Sequence, residues 1–519
     1  MNVGPGLAAR PRRLTGLHGP VPVARAAAVV LAAVAGLQGA AAARAGSVPT
    51  DPRIAVVERS LLPVVVTDAT QALRLDQRMA RYGVPGVSVA VVDQGRLAWV
   101  HAWGLAQAGQ AVPLTPKTLM QAGSVSKSLT ALGALKLAEQ GRLDLDADVN
   151  TLLRRWQLPA GAQTAERPVT VRGLLGHTAG LTVHGFPGHV PGQPLPSLVQ
   201  VLDGVPPARN EPVRASSVPG SEWRYSGGGY VLLQALIEDR TGEPFAGWMR
   251  REVLRPAGMA HSRFGRLPRA PLAQAAAGHQ DGRVIEGRRA DKVEEAAGGL
   301  WSTPTDLARL SLGLQRVMAG QAQPWLAPAR LAEALKRPAQ PGARTGLGFM
   351  LHGSDAFGHD GRNVGFDTRW WMDRDRAVVI MVNGNAFELI AEIQRAVAVA
   401  HGWVDLAPTR LSLEQLQAAL DTSTLYLRGS MNNWNARTAL TRLDGRQFQV
   451  DVDLPAGRHE YKFASADWQA VDLGASEAGP LVPGGENLVL EVSQPGRYRF
   501  SLDASQVLAP AHHVQRLSS

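Results

Sequence analysis

The sequence predicts an α+β protein: an antiparallel sheet flanked by helices, with an added helical subdomain, followed by a small all-β sandwich. Two observations predict the first part, since short apolar strands lie near both ends of this region and helical periodicity fills the stretch between them. A third predicts the second part, because residues 424–503 consist of short alternating segments separated by Gly, Asn, Asp and Pro. We therefore expect one domain at residues 46–407 and a sandwich at residues 424–503.

Four strands and one helix can be placed near the ends of the first domain. Strands are predicted at residues 87–92 and 97–103, joined by a tight turn, and again at residues 368–372 and 377–382. A helix is predicted from Ala386 to His401. Strands from opposite ends of a domain that close one antiparallel sheet are typical of the α+β class.

Two further segments follow the first domain. The stretch from Ser412 to Leu420 has helical periodicity, which predicts a linker helix within residues 408–423. Residues 504–519 have no clear periodicity, and we expect them to form a flexible tail.

The first 45 residues have the pattern of an export signal. A basic segment precedes an apolar stretch from Ala26 to Ala43, and the triplet Ala43-Arg44-Ala45 matches an A-x-A cleavage site. Cleavage after Ala45 predicts an exported protein, periplasmic or secreted. An uncleaved membrane anchor is the alternative, because the apolar stretch is nearly long enough to span a bilayer. The Arg12-Arg13 pair also leaves a twin-arginine export route open.

Composition excludes several classes of function. The chain has no cysteine, which removes disulfides, zinc-thiolate sites, iron–sulfur clusters and a cysteine nucleophile. Its formal charge is +10 at pH 7, but the first 45 residues hold five arginines and no acidic residue. The remaining basic side chains are scattered, without the runs that follow a phosphate backbone. We therefore expect no nucleic-acid partner.

The strongest chemical signal is a serine and a lysine three residues apart at the start of a helix. Ser124 and Lys127 precede an apolar-periodic segment that stops at Gly141, so the two side chains lie one turn apart on one helix face. A desolvated lysine amine can accept the hydroxyl proton, and the helix dipole favours the resulting oxyanion. The alternative is structural: Ser124 caps the helix and Lys127 is solvated.

Several segments, in one order along the chain, carry a family resemblance. The S-x-x-K segment resembles the first motif of the serine β-lactamase and penicillin-binding protein superfamily. Residues 84–92, 174–181 and 297–303 are similar to the branch that holds class C β-lactamases, D-alanyl-D-alanine carboxypeptidases and related esterases. The resemblance runs from about Arg53 to His401. It implies a β-lactamase/transpeptidase-like fold and an acyl-enzyme on Ser124.

Residues 219–230 occupy the place of the second motif of that branch, Tyr-x-Asn. The resemblance implies that Tyr225, as a phenolate or through a proton shared with Lys127, relays the serine proton to the leaving group. Gly227 replaces the asparagine, whose amide binds the acyl amide of the substrate in relatives. This departure favours an esterase or a carboxypeptidase over a β-lactamase. Read without the resemblance, Tyr225 caps a glycine-rich turn before a helix.

The third motif of the branch, His-x-Gly, resembles residues 359–361. The resemblance implies that Gly361 lies at the edge of the cleft and that the backbone amides of Ser124 and Arg362 form the oxyanion hole. His359 would assist the proton network of Tyr225 or hold a substrate carboxylate. The alternative is an ordinary histidine on a sheet edge.

The other histidines predict neither a metal site nor a second catalyst. His184 and His189 lie in a Gly/Pro loop without a third ligand at metal spacing, so we interpret the loop as solvated. His177 is interpreted as a buried hydrogen-bonding residue in the cleft wall. We expect no metal ion and no organic cofactor.

The C-terminal segments at residues 428–435, 454–463 and 484–488 resemble immunoglobulin-like glycan-binding modules, including those of pullulanases, starch-branching enzymes and AMP-activated protein kinase. By this resemblance, stacking on sugar rings is assigned to two aromatic residues and bonding to sugar hydroxyls to two polar residues. These residues are Trp434 and Trp468, and Lys462 and Asn487. The alternative is a module that only braces the neighbouring domain.

The sequence thus predicts an exported serine hydrolase that acts on small esters, D-alanyl peptides or β-lactams. Its expected partners are a small acyl substrate or a peptidoglycan fragment, and a polysaccharide at the sandwich. A membrane is a partner only if the N-terminal segment stays uncleaved. The alternative function is a non-catalytic envelope protein that binds glycan through its C-terminal module. Retention of Ser124, Lys127 and Tyr225 argues against an idle scaffold.

Overall fold

The computed structural model describes residues 51–67, 70–340, 342–432, 434–476 and 479–517. The predicted export signal at residues 1–45 lies outside the described residues.

An antiparallel sheet organises the first domain. Six strands follow the order β3-β2-β12-β11-β10-β9, and every neighbouring pair is antiparallel. The two ends of the domain meet where β2 pairs with β12, as the terminal strands predicted. The strands of this region are β1 (Val65–Val66), β2 (Gly86–Asp93), β3 (Arg96–Gly104), β4 (Met120–Gln121), β5 (Arg263–Phe264), β6 (His279–Gln280), β7 (Arg283–Val284), β8 (Leu300–Ser302), β9 (Met350–His352), β10 (Ala356–Asn363), β11 (Phe366–Met372), β12 (Ala377–Val382) and β13 (Thr409–Arg410).

Helices cover both faces of this sheet, and β12 shows why its sequence is continuously apolar. Alternate side chains of a strand point to opposite faces, and each face of β12 meets its own apolar cluster. Val379 and Met381 join the cluster that holds α3, α8 and α12, while Val378 and Ile380 join the one that holds α1, α2 and α14. The helices are α1 (Pro52–Val57), α2 (Leu75–Arg81), α3 (Val125–Glu139), α4 (Val149–Leu152), α5 (Ala162–Glu166), α6 (Val171–Gly176), α7 (Leu198–Asp203), α8 (Gly227–Thr241), α9 (Phe245–Met249), α10 (Arg269–Ala273), α11 (Glu295–Gly298), α12 (Pro304–Met318), α13 (Pro328–Ala334) and α14 (Phe387–His401).

Most of the helices lie between β3 and β9 along the chain, which agrees with the predicted helical subdomain. The predicted terminal helix at residues 386–401 corresponds to α14. Among the described residues, no helix combines the length and apolar character needed to cross a membrane.

The C-terminal part is a sandwich of two sheets. One sheet joins β14-β17-β18-β19, with β20 also paired to β17, and the other follows the order β15-β16-β21-β22. Its elements are α15 (Leu413–Thr422), β14 (Tyr426–Gly429), β15 (Thr441–Arg442), β16 (Gln447–Leu454), β17 (Gly457–Ala464), β18 (Asp472–Gly474), β19 (Val482–Pro483), β20 (Leu488–Val492), β21 (Gly496–Asp503) and β22 (Ala511–Arg516). The predicted fold class is therefore confirmed in both parts.

The end of the chain differs from the prediction. Residues 511–516 form the edge strand β22, which pairs along its length with β21, so the expectation of a flexible tail is wrong there. The strand escapes pattern recognition because it is held mainly by backbone hydrogen bonds at a sheet edge. Of its side chains, Val514 packs against the apolar core while most of the others remain exposed or half-buried.

The predicted linker helix is present as α15, but it does more than connect two domains. Leu416 and Leu420 are buried in the apolar core of the sandwich, beside Leu427 and Phe500. Helix α15 is therefore part of the sandwich.

Charged side chains join the sandwich to the first domain. Arg78 on α2 donates a hydrogen bond of 2.7 Å to Glu392 on α14 and one of 3.4 Å to Glu486, just before β20. A cavity of about 580 Å³ lies at the same junction, with Arg395 and Lys462 among its lining residues.

Candidate active site

Ser124 and Lys127 lie at the start of α3, a helix whose residues are almost all buried. Lys127 Nζ donates hydrogen bonds to Ser124 Oγ at 3.0 Å and to the carbonyl oxygen of Ala297 at 2.7 Å. The Ser124 side chain makes no capping hydrogen bond, and Lys127 is only 2% exposed. The interpretation of a capped helix with a solvated lysine is therefore wrong.

Burial controls the charge of this lysine. It lowers the pKa of Lys127 from the ordinary value of a lysine to about 7, because an ammonium group loses its hydration in the protein interior. A substantial fraction of the amine is then neutral near pH 7. A neutral amine in contact with a hydroxyl oxygen can accept its proton.

Tyr225 lies beside this pair, just before α8. Lys127 Nζ is 5.0 Å from the centroid of the Tyr225 ring. Burial raises the pKa of the phenol well above its ordinary value, and a hydrogen bond with the Ser124 side chain opposes that shift only in part. The phenol is therefore protonated at neutral pH, which favours the shared-proton form of the predicted relay over a phenolate.

His177 supports Tyr225 from behind. Its ring stacks on the Tyr225 ring with the centroids 4.3 Å apart, and its Nδ1 accepts a hydrogen bond from the Ser226 amide at 3.1 Å. Burial, with a smaller contribution from the charge of Lys127, holds the pKa of His177 well below its usual range. His177 is thus the buried hydrogen-bonding residue that the sequence predicts.

Two glycines let β10 approach the start of α3. A Cβ atom on Gly361 would lie 2.9 Å from the Ser124 nitrogen and 2.0 Å from the carbonyl oxygen of Ala122. A Cβ atom on Gly123, whose φ is +52°, would lie 2.5 Å from the Arg362 nitrogen. The backbone amides of Ser124 and Arg362 therefore meet at one junction, as a two-amide oxyanion hole requires.

The Arg362 side chain leaves this junction. Its guanidinium group donates to Asp367 at 2.7 Å and lies 4.5 Å from the centroid of the Phe387 ring. The backbone amide of Arg362 therefore lies at this junction while its side chain is paired with Asp367.

His359 on β10 is buried and lies 6.2 Å from Tyr225, measured between ring centroids. Its Nδ1 donates to the carbonyl oxygen of Asp360 at 2.5 Å, and its buried Nε2 has no hydrogen-bond partner within the described chain. Burial, assisted by the nearby charge of Lys127, lowers the pKa of His359 to about 4. A neutral ring fits the predicted role beside Tyr225 better than the role of a cation for a substrate carboxylate.

Gly227 begins α8, and the loop at residues 184–186 occupies the space that a side chain at this position would take. A Cβ atom on Gly227 would lie 2.9 Å from the carbonyl oxygen of His184 and 3.1 Å from the Phe186 ring. The asparagine of the second motif could not occupy this position unless the loop moved. Loop atoms therefore occupy the position where the asparagine side chain of the motif would begin.

Sequence reasoning missed His184. Its imidazole ring lies 4.9 Å from the Tyr225 ring, measured between centroids, and its side chain is exposed beside the site. The prediction of a solvated loop is wrong for His189, which is only 3% exposed and whose backbone pairs with Asp291. A Gly/Pro loop has no periodicity that could have signalled either placement.

Within the residues that the structure describes, no group of three or more His, Asp and Glu side chains is arranged to hold a metal ion.

The structure brings the two predicted aromatic residues of the sandwich together. The ring centroids of Trp434 and Trp468 are 6.1 Å apart, with the ring planes tilted by 41°. The guanidinium carbon of Arg428 lies 3.9 Å from the centroid of the Trp468 ring. One face of Trp468 is therefore occupied by a cation–π contact.

The two polar residues predicted for the sandwich have partners within the protein. Lys462 Nζ donates to Asp472 at 3.1 Å, and Lys462 also lines the cavity at the domain junction. Asn487 Nδ2 donates to Glu460 at 3.0 Å. Each of these hydrogen bonds uses part of the side chain's capacity, since a lysine ammonium has three donors and an asparagine amide has two donors and an acceptor oxygen.

Comparison with known proteins matches each of the two parts of the chain to a protein family. Residues 73–400 match the Beta-lactamase family, and residues 416–472 match the family described as the glycogen recognition site of AMP-activated protein kinase. The D-aminopeptidase of Gluconobacter oxydans is 27% identical over 453 residues, which cover 85% of this chain and 79% of that protein. Penicillin-binding protein 4* of Bacillus subtilis is 31% identical over 182 residues, but the match spans only 34% of this chain and 37% of that relative.

Solved structures show the same fold. The octameric penicillin-binding protein homologue from Pyrococcus abyssi has a TM-score of 0.54 at 20% identity, covering 82% of this chain and 94% of its own. The D-amino acid amidase from Ochrobactrum anthropi SV3, complexed with L-phenylalanine, has a TM-score of 0.50 at 26% identity, covering 63% of this chain and 96% of its own. The site geometry, the fold and the family match over residues 73–400 agree, and the chain belongs to the Beta-lactamase family.

Proposed function

We propose that the protein is a serine hydrolase that works through an acyl-enzyme on Ser124. One observation carries the proposal: a buried lysine amine lies 3.0 Å from Ser124 Oγ and 5.0 Å from the centroid of the Tyr225 ring. The serine hydroxyl, its base and a second proton donor are therefore together in a water-poor site.

In the proposed reaction, Ser124 Oγ attacks the carbonyl carbon of the substrate while its proton passes to Lys127. The backbone amides of Ser124 and Arg362 stabilise the oxyanion, a contribution of about 3 kcal/mol for each donor. The Tyr225 phenol then gives a proton to the leaving group and recovers one from Lys127. Attack by water on the serine ester releases the acid.

We propose esters and peptides or amides of D-amino acids as the substrates, ahead of β-lactams. The absence of a side chain at Gly227 supports this choice, because no amide is present there to hold the acyl amide of a penicillin. The relatives support it as well, since they include a D-aminopeptidase, a D-amino acid amidase and Esterase EstB of Burkholderia gladioli, which is 31% identical over 209 residues.

A panel of three substrates tests the choice. Purified mature protein is given a nitrophenyl ester, a D-Ala-D-Ala peptide and a chromogenic cephalosporin, and Ser124→Ala serves as the matched control. We expect turnover of the ester or the peptide that Ser124→Ala abolishes, with slower turnover of the cephalosporin. Cephalosporin turnover faster than both would overturn the substrate order.

We also propose that the protein is exported, periplasmic or secreted. The support is the basic, apolar and A-x-A pattern of residues 1–45. Expression in a bacterial host followed by cell fractionation tests it. We expect the mature chain outside the cytoplasm with Gly46 as its first residue, whereas a full-length chain in the membrane fraction would support the uncleaved anchor instead.

For the sandwich, we propose polysaccharide binding through the paired rings of Trp434 and Trp468. The 6.1 Å separation of their centroids and the family match over residues 416–472 support it. Retention on insoluble α-glucan and on cell-wall polysaccharide should fall in Trp434→Ala, while ester turnover is unchanged. Equal retention of wild type and Trp434→Ala on every glycan would leave the module with a bracing role.

A further inference from the structure

The junction cavity, between the first domain and the sandwich, has the size and the surface of a site for a small molecule. Its volume is about 580 Å³, and pockets of roughly 300 to 1,000 Å³ at domain interfaces are typical sites for small ligands. Val64 and Leu508 in its wall are exposed although they are apolar, so a ligand can cover apolar surface there. Both domains supply apolar side chains to this wall: Pro63, Val64 and Leu73 from the first domain, and Val482, Pro483 and Leu508 from the sandwich.

Arg395 on α14 brings an uncompensated positive charge to this cavity. Its Nε donates a hydrogen bond of 2.8 Å to the carbonyl oxygen of Leu62, which fixes the guanidinium group on one side. Its two terminal nitrogens have no hydrogen-bond or carboxylate partner within the described residues. Burial lowers the pKa of Arg395 to about 10, and the charge of Glu392 opposes this effect only in part. The group is therefore charged at neutral pH and has donors left for a ligand.

The other two cations that line the cavity are already paired with acidic groups. Arg78 donates to both carboxylate oxygens of Glu392, at 2.9 and 2.7 Å, and to Glu486 at 3.4 Å. Lys462 donates to both oxygens of Asp472, at 3.1 and 3.2 Å. Among the described lining residues, Arg395 is therefore the cation that a ligand can bind without competing with an ion pair.

The charges of the wall favour a carboxylate as the ligand group. The terminal nitrogens of a guanidinium group form a fork that matches two carboxylate oxygens. A single carboxylate balances the charge of Arg395, whereas a phosphate dianion would add a second negative charge near the carboxylates that line the same cavity. These are Glu392 and Glu486, together with Glu388, which is exposed and therefore screened by water.

We propose that the junction cavity binds a monocarboxylate with an apolar body, the carboxylate paired with Arg395 and the body packed against the apolar side chains of both domains. Such a ligand contacts α14 of the first domain and Leu508 of the sandwich at once. No active-site residue that the structure describes lines this cavity. The inference is therefore independent of the proposed hydrolase activity.

Two acids and their amides test the proposal in the wild-type protein. Octanoate and 4-phenylbutyrate carry a carboxylate on a flexible and on a ring-bearing apolar body, whereas octanamide and 4-phenylbutanamide have the same bodies without the charge. Binding to the purified mature protein is measured by isothermal titration calorimetry. Because hydrogen bonds between charged groups are stronger than those to a neutral amide, we expect at least one acid to bind about tenfold or more tightly than its amide. Acetate, which lacks the apolar body, should bind more weakly than that acid.

Substitutions on two sides of the cavity locate the carboxylate. Arg395→Gln keeps a donor for the Leu62 carbonyl oxygen but removes the charge, so it should weaken binding of the acid about tenfold or more and binding of the amide less than about threefold. Leu508→Glu adds a negative charge to the wall and should weaken the acid more than the amide, whereas the neutral Leu508→Gln should affect both equally. Arg374→Gln removes an exposed arginine outside the cavity and should change neither affinity.

The two sets of variants keep the test decisive if Arg395→Gln folds poorly. Leu508 is exposed, so Leu508→Glu should keep a melting temperature like that of wild type. Ser124→Ala should bind the acid as wild type does, because the active site lies elsewhere. Absence of binding by both acids, or equal affinity for each acid and its amide in wild type, would overturn the proposal. Acid binding that neither Arg395→Gln nor Leu508→Glu weakens would overturn it as well, since the ligand would then occupy another site.

Discussion

At the scale of the residue, the burial of the Lys127 amine determines whether it can act as a base for Ser124. Lys127 is buried beside Ser124 and Tyr225, and this burial lowers its pKa to about 7. The spacing of Ser124 and Lys127 on one helix face was predictable, because it follows from 3.6 residues per turn. The pairing with Tyr225 rested on a family resemblance, since no local pattern relates residues so distant in the chain. His184 was not predictable, because its place depends on how a loop packs over Gly227.

The ionisation of Lys127 predicts the pH dependence of acylation. Below pH 7 the amine is protonated and cannot take the Ser124 proton, so kcat/KM for an ester should rise with pH and level off above a midpoint near the pKa of about 7. The profile is measured between pH 5 and 9. Lys127→Arg stays protonated throughout this range and should be inactive at every pH. A flat profile for wild type, or activity in Lys127→Arg, would contradict the assignment of the base.

The close approach of β10 to α3 predicts a steric effect. A Cβ atom in Gly361→Ala would meet the Ala122 carbonyl oxygen at 2.0 Å and the Ser124 nitrogen at 2.9 Å. The strand must then move away, and loss of one oxyanion donor costs about a hundredfold or more in kcat. Gly247→Ala, where an added Cβ meets nothing within 4 Å, is the matched control. Full activity in Gly361→Ala, with a melting temperature like that of wild type, would argue against this geometry.

At the scale of the element, a strand or helix could be predicted from the sequence when it buries a regular apolar face. Strand β12 and helix α14 were placed from sequence because their apolar patterns record the faces they bury. Strand β22 has no such apolar pattern, because it is an edge strand whose side chains are exposed or half-buried. Helix α15 was recognised by its period, but its role was not, since the period does not say which core receives its apolar face.

The packing of α15 predicts a loss of stability on truncation of its buried side chain. Leu420 is 0% exposed within the sandwich core, so Leu420→Ala should lower the free energy of unfolding by about 2 to 5 kcal/mol. Chemical denaturation followed by tryptophan fluorescence measures the change. Glu414→Ala, an exposed position on the same helix, should leave stability within about 0.5 kcal/mol. Equal stability of the two variants would contradict the packing of α15 into the sandwich core and would support a role as a linker only.

At the scale of the whole molecule, the sequence predicted two folds in series and their order, because each has its own core. It did not predict their junction. The contacts of Arg78 with Glu392 and Glu486 join segments far apart in the chain, and single charged residues carry no pattern that identifies their partners. The placement of Lys462 at the junction cavity was missed for the same reason.

The convergence of three chain segments on one activated serine is tested most directly by mapping a covalent adduct. Wild type and Ser124→Ala are treated with a fluorophosphonate, digested and analysed by mass spectrometry. We expect a single phosphonylated peptide in wild type, modified at Ser124, and none in Ser124→Ala. An unmodified Ser124 in wild type, or a label elsewhere that persists in Ser124→Ala, would contradict it.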